Sequence, residues 1–110
     1  MAYEVRSEGD TTIVALSGDV DLDNSPQVRS VLLESVREKR VVLVEMSAVS
    51  YIDSSGVASL VEAYQSARNR STPFALVAVS DAAMRVLELA RLDRVFSIHA
   101  NLTDALADGG

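Results

Sequence analysis

The amino-acid sequence predicts an α/β protein with a single mixed, mostly parallel β-sheet of about five strands and about four α-helices. Short stretches of β-branched and aliphatic residues alternate with segments whose apolar residues recur at helical spacing. Residues 41–46 and 74–79 are near-continuous apolar runs, which are typical of strands buried on both faces of such a sheet. A chain of 110 residues, 48% of them hydrophobic, has room for one core, so we expect one domain spanning residues 3–107.

The chain begins with a predicted β-hairpin. Residues 3–7 alternate in polarity like an edge strand, Gly9 and Asp10 have turn chemistry, and residues 11–16 are rich in β-branched side chains. Residues 18–21 are then expected to form an irregular acidic connection. Ser25 and Pro26 predict a helix start, because a serine hydroxyl can accept from a free backbone N–H and proline at the first helical position loses no hydrogen bond.

The remainder of the chain alternates between strand and helix patterns. In order, the predicted elements are a helix that starts at residues 25–26 and ends within residues 37–40, a strand at 41–46, a helix ending near 70, a strand at 74–79, a helix capped by residues 80–81, a strand at 95–99 and a short helix capped by Asn101 that ends near 107. Such alternation favours parallel strands joined by crossover helices.

Charge and composition exclude several classes of function. Ten lysines and arginines against sixteen acids give a net charge of −6, which disfavours binding to nucleic acid. There is no cysteine, and no apolar run is long enough to cross a bilayer. We therefore expect a cytoplasmic protein without membrane insertion and without a cofactor, and we expect a monomer.

Three alternating aspartates, at positions 19, 21 and 23, invite comparison with a calcium site. An EF-hand loop that began at Asp19 would need glycine at its sixth position and glutamate at its twelfth. Asn24 and Ser30 hold those positions, so the EF-hand interpretation fails. A looser magnesium site is the remaining alternative, and it is disfavoured because all-protein Mg²⁺ cages are unusual. We expect no metal site, and we expect these residues to order a turn.

The sequence Asp53-Ser54-Ser55-Gly56 joins a buried strand to a helix start, and it is the strongest candidate site. Free backbone N–H groups and the positive end of the helix dipole stabilise negative charge there, including a phosphate on serine. Gly56 bears no side chain, so a partner could approach its backbone closely. The alternative is structural: Asp and Ser are ordinary helix caps, and the glycine serves only close packing between helix and sheet.

Three segments give the chain a resemblance to STAS domains, and among them to the bacterial anti-sigma factor antagonists. These segments are residues 18–21 (Gly-Asp-Val-Asp), residues 49–57 around the Asp-Ser-Ser-Gly turn, and residues 89–96. The resemblance covers most of the chain. Where the family often has Leu-Gly after Ser-Ser-Gly, this chain has Val57 and Ala58.

The resemblance implies a partner switch. Ser54 would be the phosphorylated residue, Asp21 would help to shape the surface that faces the kinase, and Asp53, Ser55 and Gly56 would contact or position the partner. The implied partners are an anti-sigma factor with GHKL-type serine kinase activity and a serine phosphatase. The unphosphorylated protein would bind the anti-sigma factor and so free a sigma factor for transcription.

Two other functions compete with the switch. STAS domains also serve as subunits of ABC-type lipid or anion transport systems, where this chain would be a scaffold or regulator. A hydrolase using Ser54 is disfavoured, because the serine lies in no G-x-S-x-G elbow and the sequence places no base beside it. The chain is therefore not expected to be an enzyme.

Overall fold

The computed structural model describes residues 2–38 and 40–107. Its five strands are β1 (Ala2–Glu8), β2 (Thr11–Val20), β3 (Val41–Ile52), β4 (Phe74–Val77) and β5 (Ile98–His99). Its four α-helices are α1 (Ser25–Arg37), α2 (Ser54–Asn69), α3 (Asp81–Leu89) and α4 (Leu102–Ala107), with a 3-10 turn at Leu92–Arg94. None of these helices is both long and apolar enough to span a membrane, within the described ranges.

The strands form one sheet in the order β1-β2-β3-β4-β5. β1 and β2 are antiparallel and the other three neighbouring pairs are parallel, which confirms the predicted mixed α/β fold. Gly9 makes the hairpin turn with a φ of +61°, a left-handed conformation that glycine adopts without steric cost. Each parallel pair is joined by a helix, so the carboxyl ends of β2, β3 and β4 all lie at one edge of the sheet.

The two faces of the sheet carry cores of different size. Helices α1, α2 and α3 cover one face, and their apolar residues join those of the strands in one cluster that includes Val28, Leu60, Leu87, Val44 and Leu76. On the opposite face, α4 covers a smaller cluster made by Ile13, Leu43, Ala75, Val77 and Ala105. Consecutive residues of the central strands are thus buried on opposite faces, as their continuous apolar runs predict.

Strands β2 and β3 extend further than the sequence pattern indicates. Residues 18–21 were expected to be an irregular connection, but residues 18–20 continue β2 and pair with the end of β3, with Val20 opposite Ile52. Register shifts after Ala15 and after Gly18, where φ is +73°, let the ladder continue past local irregularities. Because both strands run on to this point, residues 21 and 53 leave the sheet side by side.

The fourth and fifth strands are shorter than predicted, and β4 ends at Val77 instead of residue 79. Residues 92–94 form the 3-10 turn, and only residues 98 and 99 pair with β4. Phe96, expected to lie in the strand, instead packs its ring edge-on against Tyr64 at 5.4 Å and near Phe74 at 6.5 Å between ring centroids. Aromatic packing against α2 and β4 therefore takes the place of backbone pairing at this point.

Candidate functional site

The carboxyl edge of the sheet brings together the two loops singled out by the sequence. One is the turn of residues 21–24, here named the acidic turn, which joins β2 to α1. The other is the connection at Asp53, between β3 and α2. The backbone N–H of Asp53 donates to the carbonyl of Val20 at 3.1 Å, so the two chain segments are hydrogen-bonded where they leave the sheet.

The carboxylate of Asp53 caps α2 and reaches across to the acidic turn. Its Oδ1 atom accepts from the backbone N–H groups of Ser55 and Gly56, at 3.0 and 3.1 Å, and from the Ser55 hydroxyl at 2.6 Å. Its Oδ2 atom accepts from the backbone N–H of Leu22 at 3.2 Å. These bonds, the one from the Ser55 hydroxyl most of all, hold the pKa of Asp53 below its ordinary value.

The acidic turn is closed by its own side chains. Asn24 Oδ1 accepts from the N–H of Asp21 at 2.9 Å, while its Nδ2 donates to the carbonyl of Asp19 at 2.9 Å. Asp21 Oδ1 in turn accepts from the N–H of Asp23 at 3.0 Å. The expected capping role of Ser25 is wrong: Asn24 stands at the cap position, its side chain is used within the turn, and Ser25 is the first, buried residue of α1.

Ser54 and Ser55 are adjacent but differ in environment. Ser54 is the first residue of α2, its side chain is exposed, and its hydroxyl has no hydrogen-bond partner among the described residues. Ser55 is half-buried, and its hydroxyl donates to Asp53. Ser54 is thus the serine of the pair whose hydroxyl is open to an incoming protein.

Gly56 serves packing, which was the alternative that the sequence left open. It is buried, and a Cβ added there would lie 2.8 Å from Ile52 Cγ1 and 2.9 Å from the carbonyl oxygen of Val20. The ends of β2 and β3 occupy the space on the Cβ side of Gly56, so a partner cannot approach the glycine from that side. The close contact fixes the start of α2 against the sheet.

Two large apolar side chains are exposed at this edge: Leu22, to which the sequence assigned no role, and Tyr51, which the sequence pattern wrongly predicted to be a core residue. Leu22, in the acidic turn, is 73% exposed, and Tyr51, near the end of β3, is 53% exposed. Tyr51 is paired with Asp19 in the ladder, and Leu22 is held through its backbone by Asp53. The one sequence signal for Leu22 is a leucine between two aspartates in a turn.

A groove of about 390 Å³ continues the site between α1 and α2. Its walls are Ser25, Pro26, Arg29, Ser30, Ser55, Ala58, Ser59 and Glu62. The buried Ser59 hydroxyl lies 3.1 Å from the Ser55 carbonyl and 3.2 Å from the Ser25 carbonyl, which joins the two helix starts. At the outer end, Arg29 donates to both oxygens of Glu62, and this contact lowers the pKa of Glu62.

The charge of the edge is strongly negative. Asp21, Asp23 and Asp53 lie in the two loops and Asp19 lies near the end of β2, while Arg29, in the adjoining groove, is already paired with Glu62. A phosphate on Ser54 would add about −1.5 to −2 charges to this surface. The arrangement contains an exposed hydroxyl, a rigidly held turn and two exposed apolar side chains, which suits the binding of another protein.

Known proteins resemble this chain in sequence and in fold. A family model for the STAS domain matches residues 2–105. The anti-sigma-B factor antagonist of Listeria monocytogenes is 30% identical over 86 residues, which cover 77% of this chain and 75% of the relative. An anti-sigma factor antagonist from Mycobacterium paratuberculosis superposes with a TM-score of 0.88 at 26% identity, over 97% of this chain and 92% of that one.

The same fold recurs in a more distant protein that has been solved in two states. The anti-sigma factor antagonist SpoIIAA in its unphosphorylated form has a TM-score of 0.81 at 17% identity, over 96% of this chain and 93% of that one. The phosphorylated form, from Bacillus, has a TM-score of 0.78 at 17% identity, over 99% of this chain and all of that one. The chain therefore belongs to the STAS domain family, and its relatives place it among the anti-sigma factor antagonists.

Proposed function

We propose that this protein is a phosphorylation-controlled partner switch: unphosphorylated, it binds an anti-sigma factor that is also a serine kinase, and so frees a sigma factor for transcription. The observation that carries the proposal is the exposed Ser54 hydroxyl at the first turn of α2, beside the turn anchored by Asp53. The relatives named anti-sigma factor antagonists, and the existence of a phosphorylated form of SpoIIAA, support it.

The local hydrogen bonds explain why a phosphate on Ser54 would act on the partner. The N–H groups of Ser55 and Gly56 already donate to Asp53, so they are not free to neutralise a phosphate. The phosphate would therefore face outward, next to the Asp53 carboxylate, without a cation of its own. An uncompensated charge buried in an interface costs several kcal/mol, which corresponds to a loss of affinity of about 100-fold or more.

The other site residues act by position. Asp53 and Ser55 hold the first turn of α2, and Asp21 closes the acidic turn that presents Leu22. In this function the protein is the substrate of a kinase, then of a phosphatase, and the ligand of the anti-sigma factor. It catalyses no reaction itself.

Affinity capture from the native host, read by mass spectrometry, tests the switch. The baits are the wild type, Ser54→Asp and Gln65→Glu, which places one negative charge at an exposed position further along the same helix. We expect the wild type and Gln65→Glu to recover a GHKL-type kinase, and Ser54→Asp to lose it. Recovery of an ABC ATPase or permease by all three baits would contradict the switch and support a transporter subunit.

Phosphorylation by the captured kinase tests the assignment of Ser54. The kinase is incubated with ATP and with the wild type, Ser54→Ala or Ser55→Ala, and phosphate incorporation is measured. Ser54→Ala is expected to abolish incorporation, whereas Ser55→Ala retains the acceptor hydroxyl. Full incorporation into Ser54→Ala would show that the phosphorylated residue lies elsewhere.

A further inference from the structure

We propose that the outer edge of β1 pairs with β1 of a second copy of this chain, antiparallel and centred on Val5. β1 lies at the end of the sheet and pairs only with β2, so the N–H and C=O groups on its outer side have no strand beside them in the described parts of the chain. A seven-residue edge of this kind is a template for pairing with another strand. The proposal is independent of the function proposed above, and it replaces the monomer expected from the sequence.

The charges on β1 restrict the register to an axis at Val5 or at Ser7. A two-fold axis perpendicular to the sheet keeps each side chain on its own face, so the axis must pass through a residue position. With the axis at Val5, Glu4 lies opposite the second copy's Arg6, and symmetry repeats this pair. With the axis at Glu4 or at Arg6, like charges would lie opposite each other. Opposite charges directly across two strands stabilise the pairing, and like charges destabilise it. An axis at Ser7 would place Arg6 opposite Glu8, but it would pair only residues 6–8 of the strand and set Val5 against Gly9 of the hairpin turn, whereas an axis at Val5 pairs all seven residues.

The apolar residues of β1 support the same register. Tyr3 and Val5 are 45% and 46% exposed, and they lie opposite Leu16 and Val14, on the face that α1 covers. Pairing centred on Val5 places the two Val5 side chains against each other, with each Tyr3 opposite Ser7. The two large exposed apolar side chains of β1 would then extend the buried face of the sheet.

The resulting dimer leaves the Ser54 site open. Val5 pairs with Val14, in the middle of β2. Ser54 lies at the carboxyl edge of the sheet, beyond Val20 at the end of that strand. The two copies run in opposite directions across the axis. Their Ser54 edges would therefore lie at opposite ends of one continuous ten-stranded sheet, five strands from each copy.

Sedimentation equilibrium of the whole chain tests the pairing by charge reversal. We expect the wild type to form dimers, and Glu4→Arg or Arg6→Glu alone to weaken dimerisation by about tenfold or more, because each reverses both symmetric charge pairs. An equimolar mixture of the two variants restores opposite charges at every pair, so it is expected to form a heterodimer. Glu88→Arg and Arg85→Glu, exposed on α3, make the same charge changes away from the edge and should leave dimerisation unchanged.

The outcomes are separable from loss of folding. Far-UV circular dichroism and urea unfolding establish that each variant is folded, and the mixture itself requires both to be folded. A wild type that stays monomeric at about 1 mM, where even a weak complex forms, would overturn the proposal. So would dimers that Glu4→Arg and Arg6→Glu leave intact, since the contact would then lie on another surface.

Discussion

Asp53 Oδ2 accepts a hydrogen bond from the backbone N–H of Leu22, 31 positions earlier in the chain, at 3.2 Å. The other oxygen of the same carboxylate caps α2 through Ser55 and Gly56. One side chain thus ties the helix that carries Ser54 to the turn that exposes Leu22. Four predictions follow from this site and its surroundings.

Replacing Asp53 should separate its two roles. Asparagine is a good N-cap, so Asp53→Asn keeps an oxygen for Ser55 and Gly56 but turns its NH₂ group toward Leu22, which offers no acceptor there. Amide hydrogen exchange measured by NMR should be faster at Leu22 in both Asp53→Asn and Asp53→Ala. Exchange at Ser55 and Gly56 should rise in Asp53→Ala alone. Unchanged exchange at Leu22 in both variants would contradict the bond.

Asp53 should also make folding stability depend on pH. Its folded-state pKa lies below the ordinary value of 3.8, so the charged carboxylate stabilises the folded state. This contribution is complete above the ordinary pKa and is lost as the pH falls through the lowered one. Urea unfolding of the wild type and Asp53→Asn should therefore show a difference that shrinks with acidification below about pH 4. A difference that is constant with pH would refute the assignment.

Gly56→Ala should destabilise the protein although it places a better helix former in α2. Helix propensity favours the alanine by about 1 kcal/mol, but overpacking against Ile52 and the Val20 carbonyl costs about 1–3 kcal/mol, so we expect a net loss of up to about 2 kcal/mol. The control is Ala58→Gly, at an exposed position of the same helix, where propensity alone should make glycine the worse residue. Urea unfolding measures both, and a stabilised Gly56→Ala would contradict the packing role.

Leu22 should contribute to partner binding and little to stability. Its side chain is exposed, so Leu22→Ala should change the free energy of unfolding by no more than about 0.5 kcal/mol. Titration calorimetry against the captured anti-sigma factor should show an affinity at least about tenfold weaker, as for an apolar anchor of an interface. The matched control is Leu89→Ala. This leucine is 81% exposed and is the last residue of α3, a different helix from the one that carries Ser54. Equal affinities for the wild type and Leu22→Ala would remove Leu22 from the interface.

The fold was predictable from the sequence because its main determinants are local. The apolar runs at 41–46 and 74–79 and the helical stripes between them fix the alternation of strands and helices, and Ser80 caps α3 as its position predicts. The position of Ser54 at a helix start could likewise be inferred from the buried strand that precedes it. These features depend on residues close together in the chain.

The remaining features depend on residues that are distant in sequence. The extension of β2 through Gly18 depends on pairing with Val49, and the link from Asp53 to Leu22 exists only once both strands are in register. Asn24 could not be assigned its role because Ser25 and Pro26 look like a sufficient helix start. Phe96 lies outside β5 because its ring packs against Tyr64 and Phe74, which a local sequence pattern does not reveal.

The tight contact at Gly56 means that positions 54 and 56 tolerate substitution to different degrees. Position 56 admits no side chain without displacing Ile52 or Val20, whereas residue 54 is exposed. Residue 54 can therefore be substituted while the shape of the surrounding surface is kept. Under the function proposed above, a variant that lost the serine would keep the binding surface but escape phosphorylation, so a single codon change could make a regulated protein permanently active.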